Sequence, residues 1–377
     1  MKGARGLCQF VALLASAAPG MVMTQADWRA AEPDYEWSFP RDHWPHPEYK
    51  TEWWYFTGIV SDTNDPERRL GYQFTFFRVG LVADSLPYES AWATRSLIMG
   101  HAAITDPSKG THLFSEVLAR PNGLLGGFGA PGDSLIAWSR APYGSDSRWV
   151  LSWNGEAFDF AIRDDEQGIA FDFSTTPAKP LVLQGPNGYS RKGEGPTAAS
   201  LYYSFTRLAT AGTVTINGET LRVIGVSWMD KEFGSNQLAD DQVGWDWFSL
   251  RLADGRDVML YVLRSEDGTA YARGTVVSRE GEARYLEDSA WTLSVTGNWR
   301  SEETDAEYPL RWRLELPELG LDLTIVPLLD AQENVAALVP GLFYWEGAVE
   351  LLSGDGTRIG EGFVELTGYG TGIRPAI

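Results

Sequence analysis

A chain of 377 residues, 44% hydrophobic and 22% charged, has the composition of a folded protein and is long for one domain. Wholesale disorder is therefore excluded, and two domains are expected. A net charge of −20 repels phosphate backbones and excludes nucleic acid as a partner.

Residues 1–26 read as an export signal. Lys2 and Arg5 open it, an apolar stretch runs from residue 7 to 17, and small residues at Ala15, Ala17 and Ala26 offer cleavage sites. Pro19-Gly20 interrupts the stretch, which is too short to span a bilayer comfortably. A periplasmic or secreted protein is expected, soluble and with no stable membrane insertion after cleavage. The single cysteine, Cys8, would leave with the signal, which excludes disulfides, thiol nucleophiles and Cys-bound metals.

Beyond residue 50, aromatic or β-branched runs recur at 53–60, 70–79, 95–104, 149–153, 158–163, 168–174 and 201–207. They continue at 212–216, 221–228, 246–252, 258–264, 270–278 and 290–296. Hairpin dipeptides punctuate them: Asn154-Gly155, Asn217-Gly218, Asp254-Gly255, Asp267-Gly268 and Asp355-Gly356. No long stretch shows a capped 3.6-residue period, so little helix is expected. The 16 Trp, 15 Tyr and 17 Phe suit pleated β faces. The fold class is all-β: two tandem antiparallel barrels or sandwiches.

An internal repeat supports two domains. Trp53-Trp54-Tyr55-Phe56 aligns with Trp245-Asp246-Trp247-Phe248, and each is followed by an Asp-containing turn and a strand ending in Arg78 or Arg264. The Gly/Pro-rich stretch 185–196 then divides the mature chain into domains at 27–197 and 198–377.

Serine-hydrolase elbows, phosphate-cradling loops and His-Glu-x-x-His pairs are absent from the sequence. Of His43, His46, His101 and His112, only the first two are close in sequence, on a Pro-rich segment that reads as surface. Neither a metal nor any other cofactor is expected. What remains are carboxyls among tryptophans: Glu52 before Trp53-Trp54, Asp230 and Glu232 after Trp228, and Asp246 between Trp245 and Trp247. A carboxyl desolvated by indoles stays protonated near neutral pH and can act as a general acid, while indole faces attract cations. Together they can protonate an alkene and shelter the resulting cation. Arg78 and Arg264 are expected to pair with acids inside each barrel, and His101 reads as a proton shuttle or a buried polar group.

At these residues the chain resembles the secreted AttH-type proteins related to carotenoid 1,2-hydratase (hydroxyneurosporene synthase). The resemblance rests on Glu52-Trp-Trp-Tyr-Phe-Thr-Gly58, Gly100-His-Ala-Ala-Ile-Thr-Asp106, Tyr202-Tyr-Ser-Phe-Thr-Arg-Leu208 and Gly225-Val-Ser-Trp-Met-Asp-Lys-Glu-Phe-Gly-Ser235. Gly244-Trp-Asp-Trp-Phe248, Tyr344-Trp-Glu-Gly347 and Gly362-Phe-Val-Glu-Leu-Thr-Gly-Tyr369 extend it along the chain. It implies two lipocalin-like domains with a cavity between or within them. Two positions depart from the hydratase pattern: Lys231 stands for a His, and Val262 and Leu263 stand where an acid follows the Tyr that matches Tyr261.

Two functions are carried forward. In the first, an enzyme adds to or cyclises an unsaturated lipid or isoprenoid-like molecule. Asp230 or Glu232 donates the proton, His101 assists, and Tyr261 orients the substrate. Trp53, Trp54, Trp228, Trp245, Trp247, Tyr203, Glu52, Arg78 and Arg264 bind the ligand. In the second, a non-catalytic carrier or chaperone holds an apolar ligand in the cell envelope and serves a transport system there.

Overall fold

The computed structural model describes residues 27–371 except 85, 87–89, 91, 196 and 240. The expected leader at 1–26, Cys8 included, lies outside the described residues. Among those described, helix is limited to four 3₁₀ turns of three residues each.

The first antiparallel sheet comprises β1 (Thr51–Asp62), β2 (Arg69–Gly80), β3 (Ser96–Asp106), β4 (Thr111–Ala119), β5 (Gly126–Phe128), β6 (Leu135–Arg140) and β7 (Arg148–Trp153). It continues with β8 (Phe158–Asp164), β9 (Ile169–Pro177), β10 (Val182–Leu183), β11 (Tyr189–Arg191), β12 (Ala199–Ile216) and β13 (Glu219–Asn236). The second holds β14 (Gln242–Leu252), β15 (Asp257–Ser265), β16 (Ala270–Val277), β17 (Ala283–Glu287) and β18 (Thr292–Arg300). Its remaining strands are β19 (Glu307–Leu316), β20 (Leu321–Pro327), β21 (Glu333–Val335), β22 (Phe343–Ser353) and β23 (Arg358–Thr367).

Both sheets follow one path. The first runs β4-β3-β2-β1-β13-β12-β9-β8-β7-β6-β5, the second β17-β16-β15-β14-β23-β22-β20-β19-β18. Each opens with a four-strand meander, and its first strand is then flanked by its last, so the sheet curls on itself. One sheet is nearly a barrel and the other a half-barrel, both lipocalin-like. The sequence repeat falls on β1–β2 and β14–β15, which occupy matching places.

The changeover between sheets lies between Asn236 and Gln242, not at the expected 197/198 boundary. The Gly/Pro-rich stretch is a loop that lays β10 and β11 along β12. Turn residues mark a change of direction, not a change of sheet. Two expected runs, 201–207 and 212–216, are one strand, β12, with a register shift between Phe205 and Leu208.

Period-2 alternation explains the near-continuous apolar runs, since the strands around β1 are covered on both faces. Trp54, Phe56 and Val60 point into the first barrel's core, while Tyr55 and Ile59 join Trp228, Trp247, Met259, Tyr261 and Phe363 in a core between the sheets. A third core fills the second sheet around Phe248, Trp312, Trp345 and Leu366. Each fully buried ring contributes roughly 2–3 kcal/mol of transfer free energy.

The segment 27–50 closes one end of the first barrel, pinned by Trp37 Nε1 to Asn187 O (2.8 Å) and Trp44 Nε1 to Leu135 O (2.8 Å). His43 and His46 on it are buried, contrary to the surface expected. The Pro-rich composition reflects an irregular path, and that path runs under the barrel rim rather than over it.

Candidate active site

Between the two sheets lies a cavity of about 170 Å³, lined from the first sheet by β1, β2, β3, β12 and β13, and from the second by β14, β15, β22 and β23. Strand alternation selects which side chains reach it. On β13, Asp230 and Glu232 face the cavity while Met229 and Phe233 face inward; on β14, Trp245 and Trp247 line it while Phe248 lies in the second core. Tyr202, Tyr261, Trp53 and Tyr55 complete an aromatic wall.

Asp230 is held by three donors. Trp228 Nε1 (2.7 Å) and Ser204 Oγ donate to Oδ1, and Tyr202 Oη (2.6 Å) donates to Oδ2. Trp247 Nε1 in turn donates to Tyr202 Oη at 3.2 Å. Burial outweighs these donors and pushes the Asp230 carboxyl up to about 7, with Glu232 adding to the rise. Glu232 itself is balanced by Lys192 Nζ at 2.7 Å and receives Ser200 Oγ. Lys192 also lies over the rings of Tyr261 (4.6 Å) and Tyr202 (5.1 Å).

Two further acids line the cavity from the second sheet. Glu346 on β22 and Glu365 on β23 are direct cross-strand partners. Glu346 is 2% exposed, and neither of its carboxylate oxygens has a hydrogen-bond partner. Burial, then Glu365, holds Glu346 well above the usual carboxylate range. The Tyr55 hydroxyl beside it opposes the rise but falls outside hydrogen-bonding geometry. Burial also raises Glu365, with Asp230 and Glu232 reinforcing the rise and Trp245 opposing it.

His101 on β3 lines the cavity. Its Nδ1 shares a hydrogen bond with Tyr344 Oη at 2.7 Å, and its Nε2 has no partner. Burial lowers its pKa to about 3, so the imidazole stays neutral. The Tyr261 hydroxyl is engaged at the cavity wall, donating to Arg191 O at 2.6 Å.

The structure brings together Asp230, Glu232, His101, Tyr261, Trp53, Trp245 and Trp247 from the expected set, and removes others. Trp54 and Tyr203 point into the first barrel, where Trp54 Nε1 donates to His43 O (2.7 Å) and Tyr203 Oη meets His43 Nδ1 (2.6 Å). Their neighbours Tyr55 and Tyr202 face the cavity instead, because one position along a strand reverses the face. Trp228 stands behind Asp230 and does not line the cavity. Arg264 lies outside it too, paired with Asp246 (3.1 Å) and stacked on Tyr369 (4.0 Å).

Glu52 and Arg78 border the cavity but are committed to a charged plug at the barrel end. Arg78 Nε binds Glu52 at 3.0 Å and its Nη2 donates to His46 O and Tyr49 O, while Lys231 and His46 also hold Glu52. Burial would raise Glu52, yet Lys231 first, then His46 and Arg78, hold it well below its ordinary value. Lys231, lowered to about 8 chiefly by burial, lies 3.9 Å over Trp54, so this departure from the hydratase pattern falls inside the barrel. The second departure does reach the cavity, as Leu263 lines it.

Sequence reasoning missed Glu346 and Glu365, although both stand in the segments that carried the resemblance. The available signal was a lone Glu inside an otherwise apolar strand run, Tyr344-Trp-Glu-Gly-Ala-Val349 and Phe363-Val-Glu-Leu366.

Two lipocalin-like sheets enclosing an acid-bearing, Trp-lined cavity define the class of protein. The chain belongs to the AttH-like family, whose model matches residues 30–369. It is 31% identical to an AttH-type protein from Nitrosomonas europaea, with a TM-score of 0.77 over 90% of this chain and 99% of that one. Kievitone hydratase from Nectria haematococca shares the fold at 15% identity, with a TM-score of 0.64 over 92% of this chain and 97% of that one. CghA with Sch210972 bound shares it at 11% identity, with a TM-score of 0.55 over 93% and 98%. No curated protein matches the chain by sequence.

Proposed function

We propose that this protein is a carotenoid 1,2-hydratase-like enzyme, exported to the periplasm or beyond. It protonates an unsaturated lipid or isoprenoid-like substrate and completes an addition or cyclisation in the cavity between the sheets. The observation that carries this reading is the group of carboxyls, Asp230 and Glu346 buried and Glu365 half-buried, facing the Trp53, Trp245 and Trp247 side chains across one small cavity. Buried acids can hold protons at neutral pH, and a desolvated indole face contributes roughly 2 kcal/mol towards holding a cation. Kievitone hydratase, a hydratase by name on the same fold, supports the reading. A carrier of an apolar ligand is the second reading, favoured by Met99, Leu263, Leu342 and Phe343 in the lining.

Native mass spectrometry of the protein purified from its host's periplasm, followed by extraction, tests the cavity first. A co-purifying polyene, fatty acid or terpenoid is expected. That molecule is then incubated with the protein in deuterated water. One deuterium fixed on carbon per product identifies the enzyme, and a ligand returned unchanged identifies the carrier. A protein that arrives empty and ignores apolar dyes overturns both.

A further inference from the structure

The acids of the cavity are not equivalent, and their surroundings assign them different tasks. Asp230 has three donors on its two oxygens, and Glu232 has Lys192 and Ser200. Donors and cations favour the ionised form of a carboxyl. Glu346 has neither: both its oxygens are unpartnered, and it forms no ion pair among the described residues. Ionising a buried group in that setting costs several kcal/mol. Its cross-strand partner is another acid, Glu365, and like charges directly opposite on a sheet repel, so the pair retains a proton between its members.

Among the described residues, the other titratable groups around the pair supply no free cation, and only the Tyr55 hydroxyl opposes the rise in Glu346. Tyr55 on β1 and Tyr344 on β22 are phenols held above their ordinary range, by burial first and then by these acids. Asp230 and Glu232 on β13 are acids, His101 on β3 is neutral, and Lys192 is engaged with Glu232.

We infer that the Glu346–Glu365 pair, and not Asp230, is the proton donor of this cavity, with Asp230 as the base that receives the proton back. The inference rests on the addition chemistry proposed above and names its acid. In the step, the π pair of the substrate double bond forms a C–H bond with the Glu346 proton. The O–H pair stays on the Glu346 oxygen, and the neighbouring carbon becomes cationic before the indoles. Water adds to that carbon and loses a proton to the Asp230 carboxylate. Return of that proton to the glutamate pair resets the site, and the net change is alkene plus water to alcohol.

Infrared spectroscopy of the substrate-free protein at about pH 8.5, above the pH of about 7 at which Asp230 ionises, tests the assignment directly. The carbonyl stretch of a protonated carboxylic acid, shifting in deuterated water, is expected in the unsubstituted protein. It should be lost in Glu346→Gln and retained in Asp230→Asn. Loss only in Asp230→Asn, or absence of the band altogether, overturns it. Should Glu346→Gln not fold, titrating the band in the unsubstituted protein decides: persistence above pH 7 supports the pair, and disappearance at about pH 7, where Asp230 ionises, overturns it. Because no substrate is involved, a missing band leaves the addition reading standing with Asp230 as the acid. A band with no turnover on any host lipid sinks the addition reading alone.

Discussion

Asp230 shows how a single side chain couples stability to chemistry. Its carboxyl sits at about 7 in the folded protein against 3.8 ordinarily, so between those values the folded state binds the extra proton. Stability from this group therefore falls as pH rises from about 4 to 7, by an amount on the order of 4 kcal/mol. Asp230→Asn removes that dependence. Urea unfolding at pH 5 and pH 7.5 should show the unsubstituted protein gaining stability relative to Asp230→Asn at the lower pH. A gap that does not move between the two pH values would contradict the buried state assigned to Asp230. With a substrate in hand, the same variant should lose roughly 10²–10⁴-fold in turnover while retaining ligand affinity. Asp230 was legible in the sequence because it follows a Trp in a strand-like run. Two of its three donors were not, since Tyr202 and Ser204 come from a neighbouring strand.

At the scale of elements, alternation carried most of what could be read. Once a strand is recognised, residues two apart share a face, which groups Asp230 with Glu232 and Trp245 with Trp247. Which face meets the cavity is set by the partner sheet, and there Trp54 and Tyr203 were misplaced by one position. At Gly71 on β2 the partner sheet comes close. A Cβ at Gly71 would lie 2.7 Å from the Ala348 Cβ on β22, nearer than two carbons can approach. Gly71→Val should therefore push the sheets apart and cost about 1–3 kcal/mol, seen as a lower melting temperature and altered near-ultraviolet circular dichroism. An unchanged melting temperature would show that the sheets adjust freely here. Ala348→Gly should partly relieve the strain if the two positions are coupled.

For the whole molecule, the cavity exists only while the two sheets keep their mutual pose, and one buried carboxylate does much to set it. Asp257 on β15 accepts from Lys179 Nζ (2.7 Å), Arg207 Nε (2.8 Å) and Thr206 Oγ1 (2.8 Å), all from the first sheet's part of the chain. Asp257→Ala leaves two cations without their shared partner, and a loss of roughly 3–5 kcal/mol is expected in denaturant unfolding. Ligand affinity should fall with it, although Asp257 lines no part of the cavity, because both walls move. Full stability in Asp257→Ala would mean that the apolar core between the sheets alone sets the pose.

By itself the sequence determined the fold class, the duplicated strand-turn-strand unit, which residues share a strand face, and the Trp-rich character of the site. These follow from local periodicity and turn chemistry, which each segment carries independently. Only the tertiary structure decided that β12 and β13 close the first sheet, that Arg78 and Glu52 plug a barrel end, and that Glu346 and Glu365 join Asp230 across one cavity. The reason is distance along the chain: Glu346 and Asp230 come from different sheets, and their meeting depends on how two curled surfaces pack. No local signal encodes burial of that kind, and burial is what sets the protonation of each acid.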